Sequence, residues 1–413
     1  MENFNEKPPH IFNKNKKFWV ILIIGGVITA CILFNIFGVR HTQEPLGDPN
    51  RNIFVVKYDS NGSILWEIFS GGSSFEAGYD IAIDKENNIY VVGYTNSYGL
   101  GEYDVYLLKI NSNGEILWKK TWGGPNDEIG YSITIDNISN IYITGYTHSF
   151  GGGESDAFIV KYNSTGTQLW NTTWGGSEID VGKSIAIDNT SNIYITGYTR
   201  NFGAGESDAF IVKYNSTGTQ LWNTTWGGDN TDLGHGITID NKSNIYVTGY
   251  TDVFGPGESD AFIVKYNSTG TQLWNKTWGG VGHDFANDIT QDNETNVYIT
   301  GTTYSFGAGK SDIFIVKYNS TGTQLWNKTW GQSNIDLGKD ITVDNINNIY
   351  ITGKSKYESY DETDYIILKF DSIGNILSTI KSNRENDYFG KGIIVDSLNN
   401  LYLTGYVHNF HID

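Results

Sequence analysis

The sequence predicts an all-β fold that closes as a seven-bladed β-propeller of four-stranded antiparallel blades, and three observations predict it. The chain has 49 glycines, and 14% of its residues are aromatic, as in chains of many short strands and tight turns. A Tyr-x-x-Gly step recurs every 52 residues, at Gly93, Gly145, Gly197, Gly249, Gly301, Gly353 and Gly405. A lysine keeps the same interval, at Lys57, Lys109, Lys161, Lys213, Lys265, Lys317 and Lys369. A fixed period of this length marks a repeat protein whose units cannot bury their apolar faces alone.

The sequence pattern predicts four strands in each unit. In one unit, residues 184–188 alternate small or polar residues with isoleucine, and 193–199 are rich in β-branched and aromatic residues. A glycine-rich loop leads to a third strand at 209–214. A turn ending in Gly218 leads to a fourth at 220–226. Such a meander is one propeller blade.

The two ends of the array indicate how it closes. Residues 52–70 supply strands three and four, and residues 392–406 supply strands one and two. These halves complete one blade if the array closes, which removes open sheet edges. A linear solenoid would need polar caps, and neither end resembles one.

The amino-terminal segment carries a long apolar run, Phe18–Val39, of 22 residues. At about 1.5 Å per residue it reaches about 33 Å, enough for a hydrocarbon core of about 30 Å. Three lysines precede it (Lys14, Lys16 and Lys17), and Arg40 follows. The positive-inside rule then predicts a single-pass cell-membrane protein: a cytoplasmic tail at 1–17, a transmembrane helix at 18–39, a linker at 40–50 and an extracytoplasmic propeller at 51–413. A cleaved signal peptide and lipidation at Cys31 are the alternatives.

Two tryptophans per unit are expected to pack between adjacent blades. They recur at Trp118, Trp170, Trp222, Trp274 and Trp326, and at Trp122, Trp174, Trp226, Trp278 and Trp330. In the closing blade we expect both positions to be lost, to Ser70, Ser378 and Ser382, with Trp66 remaining.

The repeat resembles the SBBP-type β-propeller repeat. The resemblance rests on segments such as 193–199 (IYITGYT) and 207–214 (SDAFIVKY), followed by Gly218-x-x-Leu221-Trp222, and it spans all seven units. It implies a propeller of the kind found on surface or secreted proteins, usually without an assigned activity.

One position at the start of strand one varies in size and charge, whereas almost every neighbouring position repeats. Across the units it reads Tyr79, Tyr131, Lys183, His235, Asn287, Lys339 and Lys391. If these residues face the channel mouth, they are candidate ligand-binding residues, because that face is concave and every blade contributes to it. Drift at a solvent-exposed position is the alternative.

Carboxylates recur just before that position, at Glu76, Glu128, Asp180, Asp232, Asp284 and Asp336. They could cap loops by accepting backbone N–H bonds, or bind calcium, whose ligands are oxygens. No other cofactor is predicted. Residues 50–413 carry 23 Lys or Arg and 42 Asp or Glu, a net charge of −19, which argues against nucleic-acid partners.

Asn-x-Ser/Thr sequons recur at turns and on outer strands, where glycosylation is predicted if the propeller lies outside the cell. The recurring ones are Asn163, Asn215, Asn267 and Asn319 in turns, and Asn171, Asn223, Asn275 and Asn327 on strand four.

Nucleophile and zinc motifs are absent, so enzymatic activity is not the leading expectation. We expect a membrane-anchored binding module for a protein or glycan at the cell surface. A structural envelope protein without a discrete ligand and a channel-face enzyme such as a lyase are the alternatives.

Overall fold

The computed structural model describes residues 40–43, 51–356, 363–382 and 386–408. The segment predicted as a transmembrane helix, 18–39, and the tail before it lie outside these ranges. Within the described ranges no helix has the length and apolarity that a membrane crossing requires.

The propeller has seven sheets, and each antiparallel blade is ordered from strand one at the channel to strand four at the rim. First strands are Glu76–Ile83, Glu128–Ile135, Asp180–Ile187, Asp232–Ile239, Asp284–Gln291, Asp336–Val343 and Asp387–Val395. Second strands are Ile89–Thr95, Ile141–Thr147, Ile193–Thr199, Ile245–Thr251, Val297–Thr303, Ile349–Lys356 and Leu401–His408. Third strands are Asp104–Ile110, Asp156–Tyr162, Asp208–Tyr214, Asp260–Tyr266, Asp312–Tyr318, Thr363–Phe370 and Arg51–Tyr58. Fourth strands are Ile116–Trp122, Gln168–Trp174, Gln220–Trp226, Gln272–Trp278, Gln324–Trp330, Ile376–Lys381 and Ile64–Ser70. Blades 1 to 7 are numbered in this order.

Blade 7 closes the array, as predicted, because it combines two strands that precede blade 1 in the chain with two strands that follow blade 6. Arg51 pairs with His408 and Tyr58 with Leu401, so the third strand lies beside the second. Strands of this blade contact blade 6 on one side and blade 1 on the other. A further strand, Arg40–Gln43, pairs in parallel with Ile64–Ser70 at the rim. This strand belongs to the segment that the sequence predicted as a linker, 40–50.

The core lies between blades, and the repeated tryptophans lie in it, as predicted. Trp122 of blade 1 packs against Phe158 of blade 2, with ring centroids 4.5 Å apart. The recurring lysine lies at the same interface between adjacent blades, which we call a seam. Lys109 Nζ lies 5.1 Å from the Tyr90 ring centroid and donates to the Ser164 carbonyl of the next blade at 3.0 Å.

The structure corrects the assignment of the lost tryptophans. Ser378 and Ser382 belong to blade 6, whereas only Ser70 belongs to the closing blade, which keeps Trp66. The reason is topological: the fourth strand of blade 7 is Ile64–Ser70, so the strand containing Ser378 completes the blade before it.

Candidate binding site at the channel mouth

Every first strand contains a β-bulge at the position that varies between units. Pairing with the second strand skips one residue, for example between Gly182 and Ser184, so Lys183 has no cross-strand partner. The same shift occurs in all seven blades. A bulge re-aims the side chain of its extra residue, and here it directs the variable residues to the channel.

The structure brings all seven variable residues together around one cavity of about 290 Å³. We call them the mouth residues: Tyr79, Tyr131, Lys183, His235, Asn287, Lys339 and Lys391. Each blade contributes one of them. That a ligand binds there stays a prediction.

Two tyrosines form an aromatic arc between two lysines. The ring centroids of Tyr79 and Tyr131 lie 5.2 Å apart. Lys183 Nζ lies 3.6 Å from the Tyr131 centroid, and Lys391 Nζ lies 5.3 Å from the Tyr79 centroid. These cation–π contacts hold the amines beside the cavity without neutralising them. Burial raises the pKa of both tyrosines, so their hydroxyls remain protonated donors.

His235 and Asn287 are held by the backbone of the next blade. His235 Nδ1 lies 3.0 Å from the Ala286 carbonyl oxygen, and Asn287 Nδ2 donates to the Gly338 carbonyl at 2.7 Å. A carbonyl only accepts, so Nδ1 of His235 carries the hydrogen and Nε2 is an acceptor. Burial, with the nearby Lys183 charge, lowers the pKa of His235 to about 4, so the imidazole is neutral at neutral pH.

The three mouth lysines are destabilised as cations. Burial lowers the pKa of Lys183 and Lys339 to about 8, and each feels one further lysine. Burial lowers the pKa of Lys391 to about 7, and repulsion from Lys339, Lys354 and Arg51 contributes. Among the residues that the structure describes, none of the three mouth amines forms an ion pair with a carboxylate.

Sequence reasoning missed three carboxylates one residue further along the first strands. These lower carboxylates are Asp80, Asp288 and Asp340, and each accepts a backbone N–H bond from the next blade: Ile133 at 2.9 Å, Ile341 at 3.2 Å and Ile393 at 2.6 Å. Burial raises the pKa of Asp80 to about 7 and of Asp288 to about 6. Burial and the Asp288 charge raise the pKa of Asp340 well above its ordinary value. Two adjacent polar residues in an alternating strand were the available signal.

The six recurring carboxylates before the bulges are buried within loop hydrogen bonds. Glu128 accepts from Gly124 N at 2.6 Å and Thr147 Oγ1 at 2.7 Å, and Asp232 accepts from Gly228 N at 2.7 Å. Glu76, Asp180, Asp284 and Asp336 accept a backbone N–H from the same loop position. Across the described ranges no group of three or more acidic, His or Cys side chains is placed to hold a metal ion. Calcium at these positions stays a prediction.

The sequons differ in accessibility. Strand-four asparagines such as Asn171 are exposed, whereas turn asparagines such as Asn163 are partly buried and accept turn N–H bonds through Oδ1. Glycosylation stays a prediction.

A protein-family model matches the 52-residue repeat. The family model described as SBBP, beta-propeller repeat, matches residues 77–101, 118–151, 173–202 and 225–255. The chain carries SBBP repeats. The four matches fall in successive units of the array, in blades 1 to 4, and cover parts of the strands described above.

The SBBP propeller is also similar to individual proteins. An uncharacterized WD repeat-containing protein of Acanthamoeba polyphaga mimivirus is 26% identical over 374 residues, covering 64% of this chain and 27% of that protein. The match therefore spans about a quarter of the mimivirus protein's length. A beta-glucanase of Paenibacillus polymyxa is 24% identical over 229 residues, 52% of this chain and 93% of the relative. Among solved structures, a PL25 ulvan lyase aligns with a TM-score of 0.49 and 13% identity, over 76% of this chain and 85% of that one.

Proposed function

We propose that this propeller is a binding module whose channel mouth holds an anionic group of a protein or glycan ligand at the cell surface. One observation carries the proposal: a position that varies in size and charge between the repeated units places all seven of its residues around a single cavity. A variable position whose residues converge on one concave site is suited to recognition there.

An anionic ligand follows from the charges at the mouth. Three lysine amines face one cavity, and within the described ranges none of them pairs with a carboxylate. Their lowered pKa values mean that protonation costs free energy. An anion placed among them favours the protonated amines and accepts charge-assisted hydrogen bonds, each worth about 1.5–3 kcal/mol. Tyr79 and Tyr131 add hydroxyl donors and aromatic faces.

The size of the cavity limits what enters it. At about 290 Å³ it lies near the lower end of ligand-pocket volumes, roughly 300–1,000 Å³. We therefore propose that one acidic unit of a larger ligand enters, such as a uronate or sulfated sugar or an acidic side chain. The rest of the ligand would lie on the surrounding loops.

The experiment compares two triple variants of the full chain that lower the charge equally. Lys183→Met, Lys339→Met and Lys391→Met remove the mouth lysines. Lys120→Met, Lys276→Met and Lys328→Met remove exposed lysines of the outer strands. Binding to acidic and neutral glycans and to acidic peptides is measured with and without calcium.

We expect the mouth variant to lose at least about 100-fold in affinity for acidic ligands, and the outer-strand variant to keep it. Equal affinities in the two variants would overturn the proposal. Absence of binding to every probe would favour a structural envelope role instead.

A lyase at the same mouth is the second candidate, favoured by one observation. The pKa of Lys391 is lowered to about 7, so its amine is partly neutral at neutral pH and able to accept a proton beside Tyr79. New ultraviolet absorbance from an unsaturated uronate product during the binding assay would indicate a lyase. Unchanged glycan would favour binding alone.

We further propose that segment 18–39 anchors the propeller on the outer side of the cell membrane. The support is the length of the apolar run and the lysines that precede it.

A further inference from the structure

Six of the seven seams between blades are filled by a strand-four indole. These residues are Trp66, Trp118, Trp170, Trp222, Trp274 and Trp326. Each lies with its ring centroid 5.9–6.2 Å from a tyrosine of its own blade. Each also packs against the hairpin glycine of the next blade, as Trp66 does against Gly114. Trp66 Nε1 donates to the Ser112 carbonyl of that hairpin at 3.1 Å.

The seam between blades 6 and 7 lacks the indole but keeps its surroundings. Ser378 occupies the tryptophan position and is exposed. A cavity of about 250 Å³ lies there, which we call the seam cavity. Its lining includes the equivalents of the residues around each indole: Tyr350 and Lys369 from blade 6, and Ser60 and Gly62 from blade 7.

The seam cavity also contains polar groups without their usual partners. The other six recurring lysines donate to the next hairpin, as Lys317 does to the Ser372 carbonyl at 3.1 Å, whereas Lys369 makes no such bond to the hairpin at Ser60. Within the part of the chain that the structure describes, the buried amide oxygen of Asn399, a residue that lines the cavity, also accepts no hydrogen bond.

The remaining wall is apolar. Ile380 of blade 6 lies against Gly62, whereas the equivalent residue of blade 1, Lys120, places its aliphatic stem against Gly166 of blade 2. Ile367, Leu377 and Leu401 complete this wall. An apolar cavity of about 150 Å³ is enough to bind benzene, so the seam cavity has room for a bicyclic ring.

We infer that the seam cavity binds a planar aromatic ring carrying one N–H donor, of the indole class. The ring would lie between Tyr350 and Gly62, as the tryptophans do in the other seams, and its N–H would donate to the Ser60 carbonyl, as Trp66 Nε1 does to Ser112. The cavity opens on the face of the hairpin turns, away from the channel mouth, so this site is independent of the proposed function.

The test titrates indole into the purified full chain by calorimetry and ligand-observed NMR. We expect one saturable site with a dissociation constant of about 1 mM or tighter. 1-Methylindole has the same ring without the donor, and we expect it to bind at least fivefold more weakly because the Ser60 carbonyl then gains no hydrogen bond.

Two substitutions decide whether the seam cavity is the site. Ser378→Trp fills it, and we expect indole binding to be lost and the melting temperature to rise. Ile346→Trp adds an indole at an exposed turn of the same blade, and we expect binding to persist. Trp326→Ser opens the neighbouring seam, and we expect the stoichiometry to rise from one to two.

The inference is overturned if indole shows no saturable binding to the folded chain, or if Ser378→Trp binds it as tightly as Ile346→Trp does. If Ser378→Trp fails to fold, the stoichiometry of Trp326→Ser decides. A second site supports the inference, and unchanged stoichiometry contradicts it.

Discussion

Two buried residues in the channel, Asp80 and Lys391, change the stability of the fold with pH in opposite directions. Burial raises the pKa of Asp80 from 3.8 to about 7, so the folded chain binds more protons than the unfolded chain between these values. Its contribution to the free energy of unfolding is full below about pH 4 and is lost as pH rises through 7. Burial lowers the pKa of Lys391 from 10.5 to about 7, so stability rises with pH across that window. The two groups together place a minimum of stability near pH 7.

Substitution of these two residues separates the two limbs of the pH profile. We expect Asp80→Asn to remove a decline of up to about 4 kcal/mol between pH 4 and 7, and Lys391→Met to remove the rise above pH 7. Denaturant unfolding from pH 4 to 10 measures both. Glu154→Gln, in an exposed loop, is the control and should leave the profile unchanged. Profiles that stay parallel in all variants would contradict the assignment.

At the scale of an element, the bulge explains the recurring glycine of the second strand. Gly249 pairs with Gly234, the residue before the bulge of blade 4. A Cβ at Gly249 would lie 1.8 Å from the Leu233 carbonyl oxygen, and the equivalent glycines show 1.7–1.9 Å. The seven glycines are therefore required by close backbone approach and not by a turn.

Replacement of one such glycine tests that requirement. We expect Gly249→Ala to destabilise the propeller by about 3 kcal/mol or more, because the added methyl meets backbone that cannot move without breaking the strand pair. Gly152→Ala is the matched control, since no atom lies within 4 Å of its Cβ position. The melting temperature and denaturant midpoint measure both. Similar values for the two variants would contradict the argument.

The same element shows what the sequence could predict. Strand positions, closure through blade 7 and the mouth residues followed from a 52-residue interval and from one position that varies within it. The bulge did not, because a skipped pairing depends on how two strands are aligned and leaves little mark in composition. The lower carboxylates were not predicted either, because their position below the mouth depends on the same skipped residue. The loss of tryptophan at Ser378 was visible, but its seam could be assigned only once the strand order of blade 7 was known.

At the scale of the whole molecule, closure within blade 7 brings both parts of the chain to one sheet. Arg51 and His408 pair across the junction, and Arg51 Nη1 donates to Tyr94 of blade 1 at 2.7 Å. The array carries a net charge of −19, while its channel mouth presents three lysines. A net negative charge of this size favours solubility, and the three lysines at the mouth have the opposite sign.

The orientation proposed for the membrane anchor is tested by cysteine labelling of the full chain in intact cells. Ile138→Cys places a thiol on an exposed propeller turn, and Glu2→Cys places one in the predicted cytoplasmic tail. We expect a membrane-impermeant maleimide to label Ile138→Cys at once and Glu2→Cys only after permeabilisation. Native Cys31, within the predicted span, is the background. The reverse pattern would contradict the proposed orientation.

Because the mouth residues lie at bulges, the proposed binding surface can change without a change of fold. A residue that the strand pairing passes over contributes little to the β-ladder, so its replacement leaves the backbone register intact. The mouth side chains contact one another, but none of them is fixed by strand pairing, so each can be replaced without a change of register. Libraries varied only at these seven positions should yield folded propellers with new specificities, and the scaffold would need no redesign.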